Sequence, residues 1–150
     1  VYTVLVEGDD LNDPVGDTVR SIVDGHVVLS RDLANRGHYP AIDVLASISR
    51  VMRDVSKREH MAVRDKAVNV LSAYRSAEDM ITIGAYVDGS DPDVDEARKI
   101  MPGLVRFLRQ DMHRKVDMQA SINGLKEALG IANQDQKQGR KKPDLETRQA

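Results

Sequence analysis

Chemistry in a chain of this size would come first from phosphate loops, metal-ligand clusters or activated nucleophiles, and the spacings here fail each in turn. A loop that cradles phosphates needs Gly-x4-Gly-Lys followed by Ser or Thr, so that backbone N–H groups ring the phosphates and the lysine reaches the outer ones. No such run occurs, and Gly124-Leu125-Lys126-Glu127 is the nearest echo, without the spacing or the context. Asp91, Asp93 and Asp95 alternate as in a calcium loop. That loop also requires Gly at its sixth position and Glu at its twelfth. Those positions hold Glu96 and Pro102, which excludes calcium. The same acids suit the positive end of a helix dipole. His26, His38, His60 and His113 show no metal-ligand spacing, and the absence of cysteine removes thiol nucleophiles, disulfides and thiolate zinc sites together. No metal site is expected. Paired carboxylates such as Asp9 and Asp10 are common in turns and carry no chemistry by themselves.

Composition sets the frame around these residues. Of 150 residues, 41% are hydrophobic, 31% charged and only 3% aromatic, so any core must be aliphatic. No apolar run approaches the ~18 residues of a membrane span and no signal peptide opens the chain, which reads as soluble and cytoplasmic. The net charge of −2 is unevenly spread: −4 over residues 1–56, zero over 57–130 and +2 over 131–150. None of these stretches has the strongly basic face that a phosphate backbone demands, so nucleic acid is excluded as the first partner.

The elements that must position any site follow from the patterning. Val1 to Val6 is a continuous apolar, β-branched run, expected as a strand buried on both faces of a parallel sheet. With no initiator Met before it, the chain reads as a piece cut from a larger α/β domain. Asp13-Pro14 opens a helix as N-cap and first-turn proline, with Val15, Val19, Ile22 and Val23 on one face and Gly25 at its stop. His26 to Ser30 reads as a strand, Arg31 to Arg36 as a short helix closed at Gly37, and Tyr39 to Asp43 as extended. Strand, helix, strand in this rhythm predicts a parallel α/β sheet over residues 1–56. From Lys57 the pattern is helical only. Val63, Ala67, Val70, Leu71 and Tyr74 form one face, a capping box at Ser76 and Asp79 opens a short helix, and Ser90-Asp91-Pro92 and Pro102 open two more. A last helix spans residues 121–129, ending at Gly130. The expected division is thus an α/β part at 1–56, an all-α part at 57–130 and a disordered polar tail at 131–150.

Three ordered blocks carry a family resemblance: TVLVEGDDLNDP at residues 3–14, DGHVVLSR at 24–31 and HYPAIDVLASISRVM at 38–52. They resemble the export ATPases of the flagellum and of type III secretion injectisomes and, more distantly, the catalytic subunits of rotary ATP synthases. The likeness weakens through the helical part to about residue 110. It implies the C-terminal part of a RecA-like parallel-sheet domain followed by an all-α C-terminal domain, in a homohexameric ring with ATP sites between subunits. ATP with Mg2+ is the implied cofactor. The phosphate loop, the magnesium-holding Asp and the catalytic Glu of the family would lie upstream, so this chain alone is expected not to turn over ATP.

The resemblance also implies roles for particular residues. Arg50 matches the arginine finger that reaches a neighbour's γ-phosphate; by residue type alone it is a surface or salt-bridged arginine. Tyr39 matches the aromatic that packs on adenine, its alternative being a core tyrosine, and a second wall of that pocket is expected near Met112 to Val116. Asp9, Asp10, Asn12 and Asp13 match the acidic loop facing the central pore, which would touch a coiled-coil stalk protein; the alternative is a plain capped turn. Asp88 to Glu96 takes the place of a second stalk-contacting segment. Export chaperones, export substrates and a peripheral stator-like regulator are implied partners, at the cytoplasmic base of the export apparatus, with at most peripheral membrane association. The other reading of the chain is a helical interaction module that binds stalk, chaperone or substrate without nucleotide chemistry.

Overall fold

The computed structural model describes residues 1–6 and 13–131. Asp9, Asp10 and Asn12 lie outside these, as do residues 132–150 of the expected tail.

The first helix, α1 (Pro14–Ile22), starts where the local chemistry demands. The Asp13 carboxylate accepts from the N–H groups of Val15 (3.0 Å) and Gly16 (3.2 Å), two donors that have no partner in a helix's first turn. After it come β1 (Gly25–Leu29), α2 (Arg31–Asn35) and β2 (Ile42–Ser49). Gly37 closes α2 at φ +65, a conformation that suits a residue without Cβ.

Two expectations fail here. The strands β1 and β2 pair antiparallel, with Gly25 opposite Ser49 and Leu29 opposite Ile42, so the described residues form a two-stranded antiparallel sheet. The five-residue α2 is too short to carry the chain back across a sheet face, as a parallel crossover requires. It reverses the direction instead. Val1 to Val6 belongs to no ladder among the described residues, and Val1, Tyr2 and Leu5 are exposed. A strand needs a neighbour for its backbone N–H and C=O groups, and the run meets none here.

The register slips between His26 and Val28, and the extra residues of β2 form a bulge built by Asp43. Its Oδ1 accepts from the N–H groups of Leu45 and Ala46, both at 3.0 Å, and the Ser47 hydroxyl donates to the Asp43 carbonyl at 2.6 Å.

A single turn, α3 (Met52–Val55), leads into the helices α4 (Arg58–Thr82), α5 (Pro92–Leu108) and α6 (Met118–Ala128). Among the described residues, the buried apolar core lies within this part: Val63, Ala67 and Val70 of α4 meet Ala97 and Leu104 of α5 and Leu129 after α6. The predicted face of α4 is therefore correct, with Leu71 and Tyr74 packed at its edge.

Two predicted helix starts are not starts. Helix α4 runs through Ser76, whose hydroxyl donates to the Ala73 carbonyl at 2.8 Å instead of capping, because Ala77 beside it is buried at 3% exposure. Helix α5 runs through Pro102. A proline inside a helix costs about 3 kcal/mol through its missing N–H and its ring. Burial of Ala97 and Leu104, both fully enclosed on either side of it, holds the helix together regardless. Helix α6 begins at Met118, capped by Asp117, slightly before the predicted start. It carries a buried lysine, Lys126, whose ammonium is paired with Glu59 in the first turn of α4.

Candidate functional site

Arg50 follows β2 directly. Its N–H donates to the Asp24 carbonyl at 2.8 Å, closing the end of the sheet. The guanidinium is exposed and donates to the carbonyls of Ser21 (3.2 Å) and Arg20 (3.3 Å). These carbonyls lie in the last turn of α1, at the negative end of its dipole, where a cation is favoured. Both bonds lie at the long end of the useful range. Water can replace them at small cost, leaving a planar, permanently charged fork available to an incoming phosphate.

Tyr39 stands at the opposite end of the sheet, in the turn between α2 and β2. The residue is 59% exposed, and the Tyr39–Pro40 peptide is cis. The Tyr39 carbonyl accepts from the Gln110 N–H at 3.0 Å. Beside it opens a cleft of about 320 Å³ whose walls include His38, Pro40, Phe107, Arg114 and Val116. The segment beyond α5 thus lies next to the Tyr39 turn. His38 is buried at 8% exposure. Loss of hydration lowers its pKa below the ordinary histidine value, and the nearby Arg109 charge adds to the effect.

Tyr39 and Arg50 are not brought together. The ladder between them is roughly 13 Å long by strand geometry, and each side chain faces solvent at its own end. Of the four loop residues matched to a stalk contact, Asp13 caps α1, and Asp9, Asp10 and Asn12 lie outside the described residues. In the segment from Asp88 to Glu96, most acids are engaged locally. Asp88 pairs with Arg98, Asp91 caps α5, and Asp95 accepts from the Tyr86 hydroxyl (3.0 Å) and the Gly89 N–H (2.9 Å). Among the described residues, no group of three or more His, Cys, Asp or Glu side chains is placed to hold a metal ion, and no helix is long and apolar enough to cross a membrane.

The two parts of the chain meet in a polar seam that residue spacing did not reveal. Arg36 pairs with Glu78 at 2.7 Å, and Arg75 with Asp43 at 3.1 Å. Arg109 donates to the Arg36 carbonyl at 3.4 Å. The Glu78 carboxylate, by hydrogen bond and then by charge, raises the Arg36 pKa.

Residues 56–127 match the family of the type III secretion ATPase EscN C-terminal domain, and residues 1–49 match the nucleotide-binding domain of the ATP synthase alpha/beta family. The chain belongs to the flagellar and type III secretion export ATPase family. It is 48% identical over 129 residues to a flagellum-specific ATP synthase of Bacillus subtilis, covering 86% of this chain and 30% of the relative. It is 49% identical over 125 residues to a type 3 secretion system ATPase of Pseudomonas savastanoi, covering 83% and 28%. The flagellar and injectisome branches are thus equally near. Among solved structures, the assembled ATPase EscN of enteropathogenic E. coli superposes with a TM-score of 0.80 at 41% identity, over 85% of this chain and 31% of that one. EscN in complex with its central stalk EscO gives 0.72 at 38% identity, over 77% and 29%. The chain spans about 30% of the length of the curated relatives it matches.

Proposed function

We propose that this chain is the C-terminal part of an ATP-hydrolysing homohexamer that energises protein export through the flagellar or a related type III secretion apparatus. Residues 1–56 form the end of its RecA-like nucleotide-binding domain and residues 57–130 its helical domain. The observation that carries the reading is the order of the two family matches along one chain, a nucleotide-binding segment and then an export-ATPase C-terminal segment. The assembled state and the stalk complex of EscN support a ring with a coiled-coil stalk at its centre. Export chaperones and substrates, a peripheral stator-like regulator and a place at the cytoplasmic base of the apparatus complete the assignment.

The residues divide by role. Tyr39 offers an exposed aromatic face for adenine at low entropic cost. Arg50, at the far end of the sheet, is assigned to a different nucleotide, that of the neighbouring subunit, as an arginine finger. There its guanidinium would offset charge developing on the transferred phosphoryl group. ATP with Mg2+ fits these two residues, while the phosphate loop, magnesium ligands and catalytic carboxylate are assigned to the rest of the subunit. Residues 1–150 alone are therefore inactive in this reading. Asp9, Asp10, Asn12 and Asp13 are assigned to the stalk-facing loop.

The decisive variant is Arg50→Ala in the full-length subunit. Rings should assemble and bind nucleotide, while hydrolysis falls by ~10³-fold or more. Rings that retain hydrolysis would remove Arg50 from the mechanism. A second reading, a helical interaction module without nucleotide chemistry, is favoured by the confinement of the buried apolar core to residues 63–129. Capture of a stalk protein by residues 57–131, with no ATP hydrolysis in the full-length protein, would establish that reading.

A further inference from the structure

The turn that carries Tyr39 is anchored to the helical part at both ends and in the middle. At its start, the Arg36 guanidinium donates to Glu78 of α4 (2.7 Å), and the Arg36 carbonyl accepts from Arg109 after α5 (3.4 Å). In the middle, the Tyr39 carbonyl accepts from the Gln110 N–H (3.0 Å). At its end, Asp43 receives Arg75 of α4 at 3.1 Å on one oxygen and 3.3 Å on the other. The sheet side adds bonds within the same turn, such as Ser30 N–H to the Ala41 carbonyl (2.8 Å) and His38 N–H to the Leu33 carbonyl (2.8 Å).

Arg75 and Glu78 lie three residues apart, which puts them on one face of α4. Their charges are ordered to match Asp43 and Arg36, so a displaced α4 would set like charges against each other. Such a key specifies position more than it adds stability, since exposed pairs of this kind are individually weak. Asp43 gives the key a rigid seat. Its side chain is only 16% exposed, and it also builds the bulge of β2 through Leu45 and Ala46.

We propose that the Tyr39 turn is mounted on the helical part, with Arg75 and Glu78 as positioning residues that fix where the exposed Tyr39 ring stands, so that the helical part sets the affinity of the nucleotide-base site. The proposal rests on the assignment of Tyr39 to adenine made above. Anything that shifts the helical part, a bound partner included, would then change nucleotide affinity without touching the groups that perform hydrolysis.

The test uses the full-length subunit in its assembled form. For Arg75→Gln combined with Glu78→Gln, KM for ATP and the Kd of a fluorescent ATP analogue should rise together by about two- to fivefold, the size expected for losing two weak pairs. The kcat should stay within about twofold of wild type, as expected when only uniform binding is lost. Arg36→Glu or Glu78→Arg alone should raise KM, and the two together, which restore the pair with its sign reversed, should return it toward the wild-type value. An unchanged KM in the Arg75→Gln, Glu78→Gln variant would overturn the mount. So would kcat and KM worsening together with no rescue by the reversed pair, which marks a general folding role. A wild-type subunit that does not hydrolyse ATP would instead overturn the functional assignment on which the mount depends.

Discussion

Leu104 is the residue whose removal tests the architecture most directly. Its side chain is fully enclosed between α4, α5 and the end of α6. Leu104→Ala deletes three carbon groups, which at about 0.8 kcal/mol each removes about 2.4 kcal/mol of burial. The surroundings cannot easily close on the space left behind. Gly103 sits against the Ala128 carbonyl so tightly that a Cβ there would lie 3.2 Å from it, and α5 is therefore already at its closest approach to α6. A residual cavity of roughly 60 Å³ adds about 1.5 kcal/mol at the usual cost per unit volume. The expected loss is thus about 4 kcal/mol, within the range measured for buried Leu→Ala changes. Urea unfolding followed by circular dichroism reads it as a large fall in midpoint with little change in slope. A loss under ~1.5 kcal/mol would refute the reasoning. It would mean that the helices repack freely around position 104, and that the close contact at Gly103 does not constrain them.

Other outcomes follow from single contacts. Asp91→Ala removes the acceptor for the Asp93 and Val94 N–H groups (2.9 and 3.3 Å) and should cost about 1 kcal/mol, while Asp91→Asn should cost much less. Gly103→Val should destabilise by about 1–3 kcal/mol in the same urea assay, because the added atoms meet backbone at Ala128 and not a flexible side chain. For His38 the folded pKa lies below the ordinary value of 6.5, so the unfolded chain takes up its proton first as pH falls. Stability from this group is complete above about pH 6.5 and is lost progressively below it. His38→Gln should flatten the decline in urea midpoint between about pH 7.5 and pH 5.5 relative to wild type. Equal slopes in the two proteins would show that His38 does not titrate differently on folding.

What the sequence made legible follows from the range of the interactions involved. Asp13-Pro14 and Asp91-Pro92 were read correctly as helix starts because a cap is completed within three residues, as the bonds to Gly16 and Val94 demonstrate. Gly37, Gly84 and Gly130 likewise marked ends through backbone angles that few other residues adopt. Ser76 and Pro102 carried equally strong local signals and misled. Burial of Ala77, Ala97 and Leu104 outweighs a capping preference of about 1 kcal/mol and the loss of one helix bond. Strand direction was misjudged because an alternating or apolar run is the same read in either direction. Tyr39 and Arg50 stand out as candidates only through the three resembling blocks. Arg36, Asp43, Arg75 and Glu78 do not stand out, since their pairings span 32 and 42 residues and leave no trace in local spacing. The matched order of charge on α4, basic at 75 and acidic at 78, was the only available hint.

The uneven distribution of burial bears on how the two parts depend on each other. Among the described residues before Lys57, His38 alone is buried, and Val15, Ile22, Val27, Leu29 and Ile48 all expose more than half of their surface. A two-stranded hairpin with one short helix on either side of a strand cannot hold itself together in water from so little enclosed apolar area. The bonds that tie this part down are those to α4 and to the end of α5, and they gather around residues 36–43. Contacts between the sheet part and the helices are therefore concentrated at the end of the sheet that carries Tyr39. Arg50 sits at the other end of the ladder, its backbone tied to the Asp24 carbonyl and its guanidinium to α1 by two long bonds. A backbone-anchored aromatic at one end and an exposed guanidinium at the other suit the base-binding and phosphate-reaching roles proposed above.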